Sequence, residues 1–190
     1  MNELTFEKWP SIPRLKRNCV ITEKIDGTNA QINFNEAGDI LCGSRKRVIV
    51  PGDDNFGFAK WAHDNREALF QILGPGRHFG EWWGLGIQRR YGLDHKRFSL
   101  FNTHRWGPGR DDPLKLEAVP GLDVVPVLYE GPFESSEIDS VMFALSVLGS
   151  KAALAAGVNF MNPEGIIVYQ TAARQMFKYT FEHDLKGKPE

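Results

Sequence analysis

The short sequence Lys24-Ile25-Asp26-Gly27 constrains the fold most, because it stands between two runs with the composition of β-strands, residues 20–23 and 31–34. An Asp-Gly pair between apolar runs is a turn signal, since glycine reaches backbone angles that strain other residues. We therefore predict a hairpin turn that holds the Lys24 amine at the rim of a sheet, where a ligand can approach.

A lysine at such a turn has two interpretations. An unprotonated lysine amine is a nucleophile, but the ordinary pKa of the group is about 10.4, so burial or nearby positive charge must lower it. A divalent metal ion bound close by would supply that charge and would also polarise a phosphate. The alternative is a charged hairpin with Lys24 in solvent, and residues elsewhere in the chain must decide between the two.

Length and charge favour one globular domain of residues 1–190. The chain has 190 residues, of which 42% are apolar, and its 23 basic and 24 acidic side chains give a net charge of −1. These values argue against a polybasic tail that binds nucleic acid, although a local basic face remains compatible with them.

Cysteine usage and the apolar runs indicate a cytoplasmic protein. Two cysteines, Cys19 and Cys42, are too few for a disulfide scaffold or a cysteine zinc site and fit a reducing compartment. The start of the chain lacks an apolar signal core, and no apolar run reaches membrane-spanning length. The five histidines are scattered, without the spacing of a zinc site.

Short strands and two helical stretches predict an α+β fold with antiparallel sheets and flanking helices. Residues 31–34 alternate polar and apolar side chains, as a half-buried strand does. Apolar side chains between Phe58 and Leu73 form a helical stripe that a polar turn at residues 63–66 interrupts, and Ser136 is placed to cap a helix over residues 137–148. The other predicted strands cover residues 40–43, 78–84, 98–102, 124–129, 165–169 and 175–181.

Two carboxylates stand in unusual positions. Glu81 interrupts an aromatic and glycine-rich strand, where burial is costly unless the carboxylate accepts hydrogen bonds, for example from a ribose hydroxyl. The alternative for Glu81 is an ion pair with Arg45 or Arg47. Glu164 opens an apolar strand beside a glycine, which suits Mg²⁺, since this ion takes oxygen ligands and often one or two carboxylates. The alternative for Glu164 is a solvated strand end.

Three further side chains are suited to a nucleotide. Lys178 lies on the polar face of an alternating strand and could hold a phosphate as a point charge. Arg45 could contact a phosphate with two parallel hydrogen bonds. Phe101 could stack on a base, because aromatic faces accept any base plane. Taken singly, Lys178 is more typical of the solvated side of a strand, Arg45 of a solvated edge, and Phe101 of a core.

Together these segments resemble motifs I, Ia, III, IIIa, IV and V of the covalent nucleotidyltransferases, which are the polynucleotide ligases and mRNA capping enzymes. The resemblance covers about residues 20–180, and residues 23–29 and 80–88 are most similar to the RNA ligase 2-like branch. The matching segments are, in order, Lys24-Ile25-Asp26-Gly27, Ser44-Arg45, Phe79-Gly80-Glu81-Trp82, Phe98-Ser99-Leu100-Phe101-Asn102, Glu164-Gly165-Ile166-Ile167-Val168 and Phe177-Lys178.

The resemblance implies an ATP-grasp-like nucleotidyltransferase domain and a three-step ligation. Lys24 would attack the α-phosphorus of ATP, expel pyrophosphate and form a lysyl–AMP phosphoramidate. The AMP would pass to a 5′-phosphate end, and a 3′-hydroxyl would displace it to seal the strand. Phosphoryl-type transfer of this kind needs positioning and charge neutralisation more than covalent help.

The resemblance also implies roles for the other residues. The Glu23 backbone would meet the adenine edge, Phe101 would stack on adenine, and Glu81 would accept from the ribose hydroxyls. Asn29 would be a polar residue of the nucleotide pocket. The remaining roles are Arg45 on ribose or nucleic-acid phosphate, Lys178 on phosphate, and Glu164 as the residue that organises Mg²⁺ or Mn²⁺.

The sequence departs from the family pattern in three places. Met176 replaces the first of two motif V lysines, and Arg174 is a possible substitute. Asn102 replaces the usual Asp after the motif IIIa aromatic. The chain also ends soon after motif V, so we expect neither an OB-fold nor a helical C-terminal domain, and a partner could supply the grip on the substrate.

RNA ends or a nicked duplex are the expected substrates, and DNA is an open alternative. The other hypotheses are a minimal DNA ligase, a capping-like guanylyltransferase, and an inactive nucleotide- or RNA-binding module of the same fold.

Overall fold

A computed structural model describes residues 4–107 and 114–185, which form two β-sheets with helices against one face of each. The α+β prediction is confirmed. The strands are β1 Asn18–Lys24, β2 Thr28–Phe34, β3 Ile40–Ser44, β4 Val48–Ile49, β5 Gly76–Gly84, β6 Lys96–Leu100, β7 Leu122–Val124, β8 Val127–Pro132, β9 Gly165–Gln170 and β10 Gln175–Thr180. The helices are α1 Phe58–Asp64, α2 Arg66–Leu73, α3 Thr103–Trp106, α4 Leu114–Glu117, α5 Ser135–Leu148 and α6 Lys151–Ala155.

The strands divide into a four-stranded sheet, which we call sheet A, and a six-stranded sheet, sheet B. Sheet A has the order β10-β9-β1-β8, and sheet B has the order β4-β3-β2-β5-β6-β7. All pairings are antiparallel except that of β6 with β7, which is parallel.

The predicted hairpin at Asp26-Gly27 is wrong. The turn does join two strands, but β1 pairs with β8 and β9 in sheet A, while β2 pairs with β3 and β5 in sheet B. The chain therefore crosses from one sheet to the other here. Ile25 is buried against Trp83 in a cluster between the sheets, which anchors the crossing. Lys24 thus lies at the junction of two sheets.

One face of each sheet is buried under helices. Alternate residues of sheet B, such as Ile32, Phe34 and Phe98, pack in a core with residues of α1 and α2. The core face of sheet A, with Cys19, Ile21 and Ile166, packs with Met142 and Leu145 of α5. Successive side chains of a strand point to opposite faces of the sheet. Lys24 of sheet A and Glu81 of sheet B therefore lie on the faces opposite the helices.

The polar interruption predicted within the stripe from Phe58 to Leu73 is confirmed, since Asn65 separates two helices there. Two other local predictions need correction. The predicted strand 124–129 is divided between β7 in sheet B and β8 in sheet A, because the chain changes sheets at Pro126. Helix α5 begins at Ser135 without a side-chain cap, so Ser136 is not its cap.

Candidate active site

A pocket of about 270 Å³ lies at the crossing between the sheets. It contains four of the predicted site residues, and its lining is Lys24, Asp26, Gly27, Thr28, Asn29, Arg45 and Glu81. Lys24 comes from the end of β1, Asn29 from β2, Arg45 from the turn after β3, and Glu81 from β5. Residues far apart in sequence therefore meet at one small polar cavity.

The Lys24 amine is paired with Glu164. Lys24 Nζ lies 2.5 Å from Glu164 Oε2, and the two side chains are 24% and 17% exposed. The pairing of β1 with β9 causes this contact, because Lys24 lies opposite Gly165, the residue after Glu164. Gly165 has φ 152° and no room for a Cβ beside the Tyr179 carbonyl, so a glycine is required at this crossing of strands. The structure thus brings together two residues that the sequence singled out separately.

Glu81 is held from two sides. Its Oε1 accepts from the Gly27 backbone N–H at 3.1 Å, and its Oε2 accepts from Asn29 Nδ2 at 2.9 Å. Burial raises the pKa of Glu81 to about 7, although the nearby Lys24 charge and these two hydrogen bonds act in the opposite direction. The alternative pairing of Glu81 with Arg45 or Arg47 is not what the structure has, since Arg47 binds Asp53 at the surface.

The turn after Lys24 rests on a loop that sequence reasoning missed. The Asp26 backbone N–H donates to Tyr91 Oη at 2.7 Å, and Arg89 Nε donates to Asp26 Oδ2 at 2.9 Å. The same arginine donates to Glu182 at 2.7 Å, and its side chain is 13% exposed. Gln88 and Tyr91 of this loop adopt positive φ, which no local pattern in the sequence predicts.

Glu23 points to the opposite side of β1 from Lys24. Its carboxylate is buried and accepts from the Ala152 backbone N–H at 2.8 Å, at the start of α6. Burial raises the pKa of Glu23, and hydrogen bonds from Ser150 and Ala152 partly offset that effect. The second carboxylate oxygen, Oε1, is buried and has no hydrogen-bond partner among the residues that the structure describes. The side chain thus ties β1 to α6, and contact of the Glu23 backbone with adenine stays a prediction.

Lys178 and Phe101 lie outside the pocket lining but on the faces that lead to it. Lys178 lies opposite Ile167 of β9, which lies opposite Thr22, two residues before Lys24. Directly opposed residues share a face of the sheet, so Lys178 is on the Lys24 face of sheet A. Phe101 follows β6, and its backbone N–H donates to the Phe79 carbonyl at 2.9 Å, which places it on the Glu81 face of sheet B.

Phe79 is a second aromatic residue that sequence reasoning left without a role. Phe79 and Phe101 are 49% and 42% exposed, so both present ring surface on the Glu81 face. The signal was present in the sequence, since Phe79 precedes Glu81 by two residues and must share its face if this segment is a strand.

Arg45 lines the pocket and makes no ion pair with any residue within 4–107 or 114–185. Its guanidinium can therefore meet an anionic ligand without first breaking a bond to a carboxylate. Asn102, at the place where the family pattern has Asp, accepts from the Arg105 backbone N–H and caps α3.

The donor set suits a metal ion that takes most of its ligands from a substrate. Among the described residues, no group of three or more His, Cys, Asp or Glu side chains is arranged to hold a metal ion. Glu164, beside the pocket, is the candidate ligand. Mg²⁺ is often bound through one or two carboxylates together with substrate phosphates, so one carboxylate beside a polar pocket fits this ion.

Comparisons with known proteins agree with this geometry. The family model described as RNA ligase matches residues 17–180. The chain therefore belongs to the RNA ligase family, which confirms the resemblance of the motif series. A comparison with curated protein sequences finds no match.

Several solved structures of an RNA ligase from Naegleria gruberi share the fold. A mutant with ATP and Mn gives a TM-score of 0.58 at 19% identity, over 87% of this chain and 50% of the other. A different mutant without ligand gives 0.56 at 19% identity, over 86% and 49%. The form with PPi gives 0.54 at 18% identity, also over 86% and 49%. The chain thus spans about half the length of these solved relatives.

Within the described parts of the chain, no helix is both long enough and apolar enough to span a membrane.

Proposed function

We propose that this chain is the adenylyltransferase domain of an ATP-dependent RNA ligase that works through a covalent lysyl–AMP intermediate. The observation that carries the proposal is the position of the Lys24 amine. It lines a polar pocket between two sheets, within 2.5 Å of Glu164 and beside the buried Glu81. Membership of the RNA ligase family supports the same chemistry.

In the first step, Lys24 Nζ would form a bond to the α-phosphorus of ATP, and the bond from that phosphorus to the pyrophosphate oxygen would break. The ammonium must lose a proton to surrounding water before it attacks, and its hydrogen bond to Glu164 Oε2 must break first. A divalent cation bound at Glu164 would neutralise phosphate charge and compete with the Lys24 ammonium for that carboxylate. Arg45 and Lys178 would add fixed positive charge at the phosphates.

The nucleoside would lie along the Glu81 face of sheet B. Ionised Glu81 would accept hydrogen bonds from the ribose hydroxyls, and Asn29, which binds Glu81, would hold the carboxylate in place. Phe101, with 42% of its surface exposed on the same face, would stack on adenine. The Glu23 backbone would meet the adenine edge.

In the later steps, AMP would pass to a 5′-phosphate end, and a 3′-hydroxyl would displace it and close the strand. RNA ends or a nicked RNA duplex are the proposed substrates. Because the chain spans about half of its solved relatives, we propose that a further segment or a partner protein supplies much of the grip on the duplex. Two buried free thiols, Cys19 and Cys42, support a cytoplasmic location.

Labelling with nucleotides tests the first step. The protein is incubated with α-labelled ATP, GTP or NAD and Mg²⁺ or Mn²⁺, then denatured. ATP should leave an SDS-resistant, acid-labile label on the wild type and none on Lys24→Ala. A label from GTP in place of ATP would favour a capping-like enzyme, and a label from neither, with RNA binding intact, would favour an inactive module.

Sealing assays separate the ligase alternatives. Pre-adenylylated RNA, nicked RNA and nicked DNA are offered to the wild type and to Lys24→Ala. Preference for RNA supports the proposal, and equal or better sealing of DNA would favour the minimal DNA ligase.

A further inference from the structure

Beyond the pocket, sheet B presents an uncovered face that combines aromatic, amide and basic side chains. We call it the open face and define it by Gln31, Asn33, Leu41, Arg77, Phe79 and Phe101. The register places these residues together. Phe79 lies opposite Gln31, while Asn33 lies between Leu41 and Arg77. Phe101 is next to Phe79 through a backbone hydrogen bond of 2.9 Å.

The side chains on the two faces of these strands differ sharply in exposed fraction. On the helix side, Ile32 and Phe34 are at most 2% exposed. On the open face, Leu41, Phe79 and Phe101 are 43%, 49% and 42% exposed. Opposed residues in antiparallel strands have Cβ atoms about 4.5–5.5 Å apart, so Phe79 and Phe101 are direct neighbours. Two neighbouring rings at half exposure form a surface that a flat apolar ligand can cover.

The open face is continuous with the pocket. Gln31 follows Asn29 by two residues, and Phe79 precedes Glu81 by two, so each is the next residue on the same face. The Gln31 side chain lies across Gly43, where a Cβ would come within 2.8 Å of Gln31 Nε2. The amide is therefore held flat against the sheet beside the Phe79 position.

The charge of this surface fits a polyanion. Arg77 on the open face and Arg45 at the pocket form no ion pair with any residue in the described ranges 4–107 and 114–185. Lys46 is exposed beside Arg45. The nearest acidic side chains of the same hairpin, Glu36 and Asp39, stand at its tip, and Asp39 lies 3.6 Å from Arg66.

We propose that the open face is a binding platform for unpaired bases of the RNA strand next to the sealing junction. Phe79 stacks on a base, Gln31 and Asn33 offer hydrogen bonds to base edges, and Arg77 contacts a phosphate. Antiparallel sheets with exposed aromatic rings are well suited to single-stranded RNA, because unstacked bases can lie on the rings. This proposal rests on the proposed function, since it assumes an RNA substrate whose end reaches Lys24.

Fluorescence anisotropy with a labelled single-stranded RNA tests the platform. Stacking contributes about 1–3 kcal/mol per base, so Phe79→Ala should weaken binding by about 5- to 150-fold. Phe79→Tyr should restore most of the affinity. Arg77→Gln should reduce the slope of log K against log salt by about 0.7, the value for one phosphate contact on a single strand. Phe143→Ala, on the exposed side of α5, is the matched control and should bind as the wild type does.

Three results would overturn the platform. The first is that the wild type does not bind RNA, and the second is that Phe79→Ala binds RNA as tightly as the wild type. The third is that Phe79→Ala changes only the ATP concentration needed for lysyl–AMP formation, which would assign Phe79 to the adenine site. Equal melting temperatures for Phe79→Ala and wild type will show that the variant folds. Lysyl–AMP formation without RNA is measured in parallel, so failure of the proposed function is seen separately.

Discussion

Two carboxylates flank Lys24, and they differ in burial and in hydrogen-bond partners. Glu81, from sheet B, is 8% exposed and is fixed by hydrogen bonds from Gly27 and Asn29. Glu164 lies just before β9 of sheet A, is 17% exposed in its side chain and contacts Lys24. Glu81 is thus fixed by hydrogen bonds within sheet B and the adjoining turn, whereas Glu164 is paired with the Lys24 amine.

This difference suggests a division of work between the sheets. A buried and doubly bound carboxylate keeps its place when ligands come and go, which suits recognition of a sugar. A carboxylate whose bond is to the lysine amine can exchange that partner for a cation, which suits control of the nucleophile. Substitutions around Lys24 test whether the two roles are separate.

Glu164→Gln should have the largest effect, because glutamine keeps a hydrogen bond but loses the negative charge that a metal ion needs. We expect lysyl–AMP formation to fall by about 100-fold or more, the scale of removing one electrostatic contact from a transition state. Quench-flow or gel measurement of the labelled protein gives the rate. The ion pair of Lys24 and Glu164 is largely buried, so its loss should also lower the melting temperature, and labelling is measured well below that temperature. Near-normal labelling would remove Glu164 from the mechanism.

Arg89→Ala should come next, because Arg89 connects the turn after Lys24 with the segment after β10 through Asp26 and Glu182. A shift of about 1 Å at a reacting group can cost about 100-fold, so we expect a 10- to 100-fold slower first step. Arg89→Lys should recover part of the rate. If both variants label at the wild-type rate and differ from it in melting temperature alone, Arg89 is structural.

Glu81 should give a pH dependence of the unfolding free energy. Its pKa is raised to about 7 by burial, so between about pH 4.5 and 7 the folded protein binds more protons than the unfolded chain. Stability from this group is therefore present at low pH and lost as the pH rises through 7. The change is about 3 kcal/mol, at about 1.4 kcal/mol per pKa unit.

Denaturant unfolding at several pH values measures this effect. Between pH 5 and 7 the unfolding free energy of the wild type should fall as the pH rises, and that of Glu81→Gln should fall less steeply. Equal slopes in the two proteins would show that Glu81 is not the group that titrates there.

Arg47→Ala should have the smallest effect. Arg47 also binds an aspartate, Asp53, but both side chains are about half exposed or more. We expect a change in unfolding free energy of less than about 1 kcal/mol and an unchanged rate of lysyl–AMP formation. Calorimetry and the labelling assay check this, and a loss as large as that of Arg89→Ala would contradict the comparison of buried with exposed pairs.

Much of the fold could be predicted because its signals are local. The alternation in β2, the helical stripe of α5 and the Asp-Gly turn are patterns of neighbouring residues. The pairing of strands is not local, so the sequence suggested a hairpin where the chain in fact changes sheets. Propensity says that a turn forms but does not say which strands pair on either side of it.

Prediction of the site was limited in the same way, because local patterns do not give contacts between distant residues. Lys24, Asn29, Arg45 and Glu81 were predicted together from ordered motifs, and they line one pocket. Arg89 and Tyr91 were missed because they act from an irregular loop, with contacts to residues more than sixty positions away. Such contacts depend on how the loop after β5 packs against the turn after β1, which no short window of the sequence contains.

Intact-protein and peptide mass spectrometry of the wild type after incubation with ATP and Mg²⁺ or Mn²⁺ tests the proposed chemistry most directly. The expected result is one added AMP on the peptide that contains Lys24, reversed by pyrophosphate and missing in Lys24→Ala. An AMP adduct on another residue, or none on a folded protein that binds ATP, would contradict the role of Lys24 as the nucleophile.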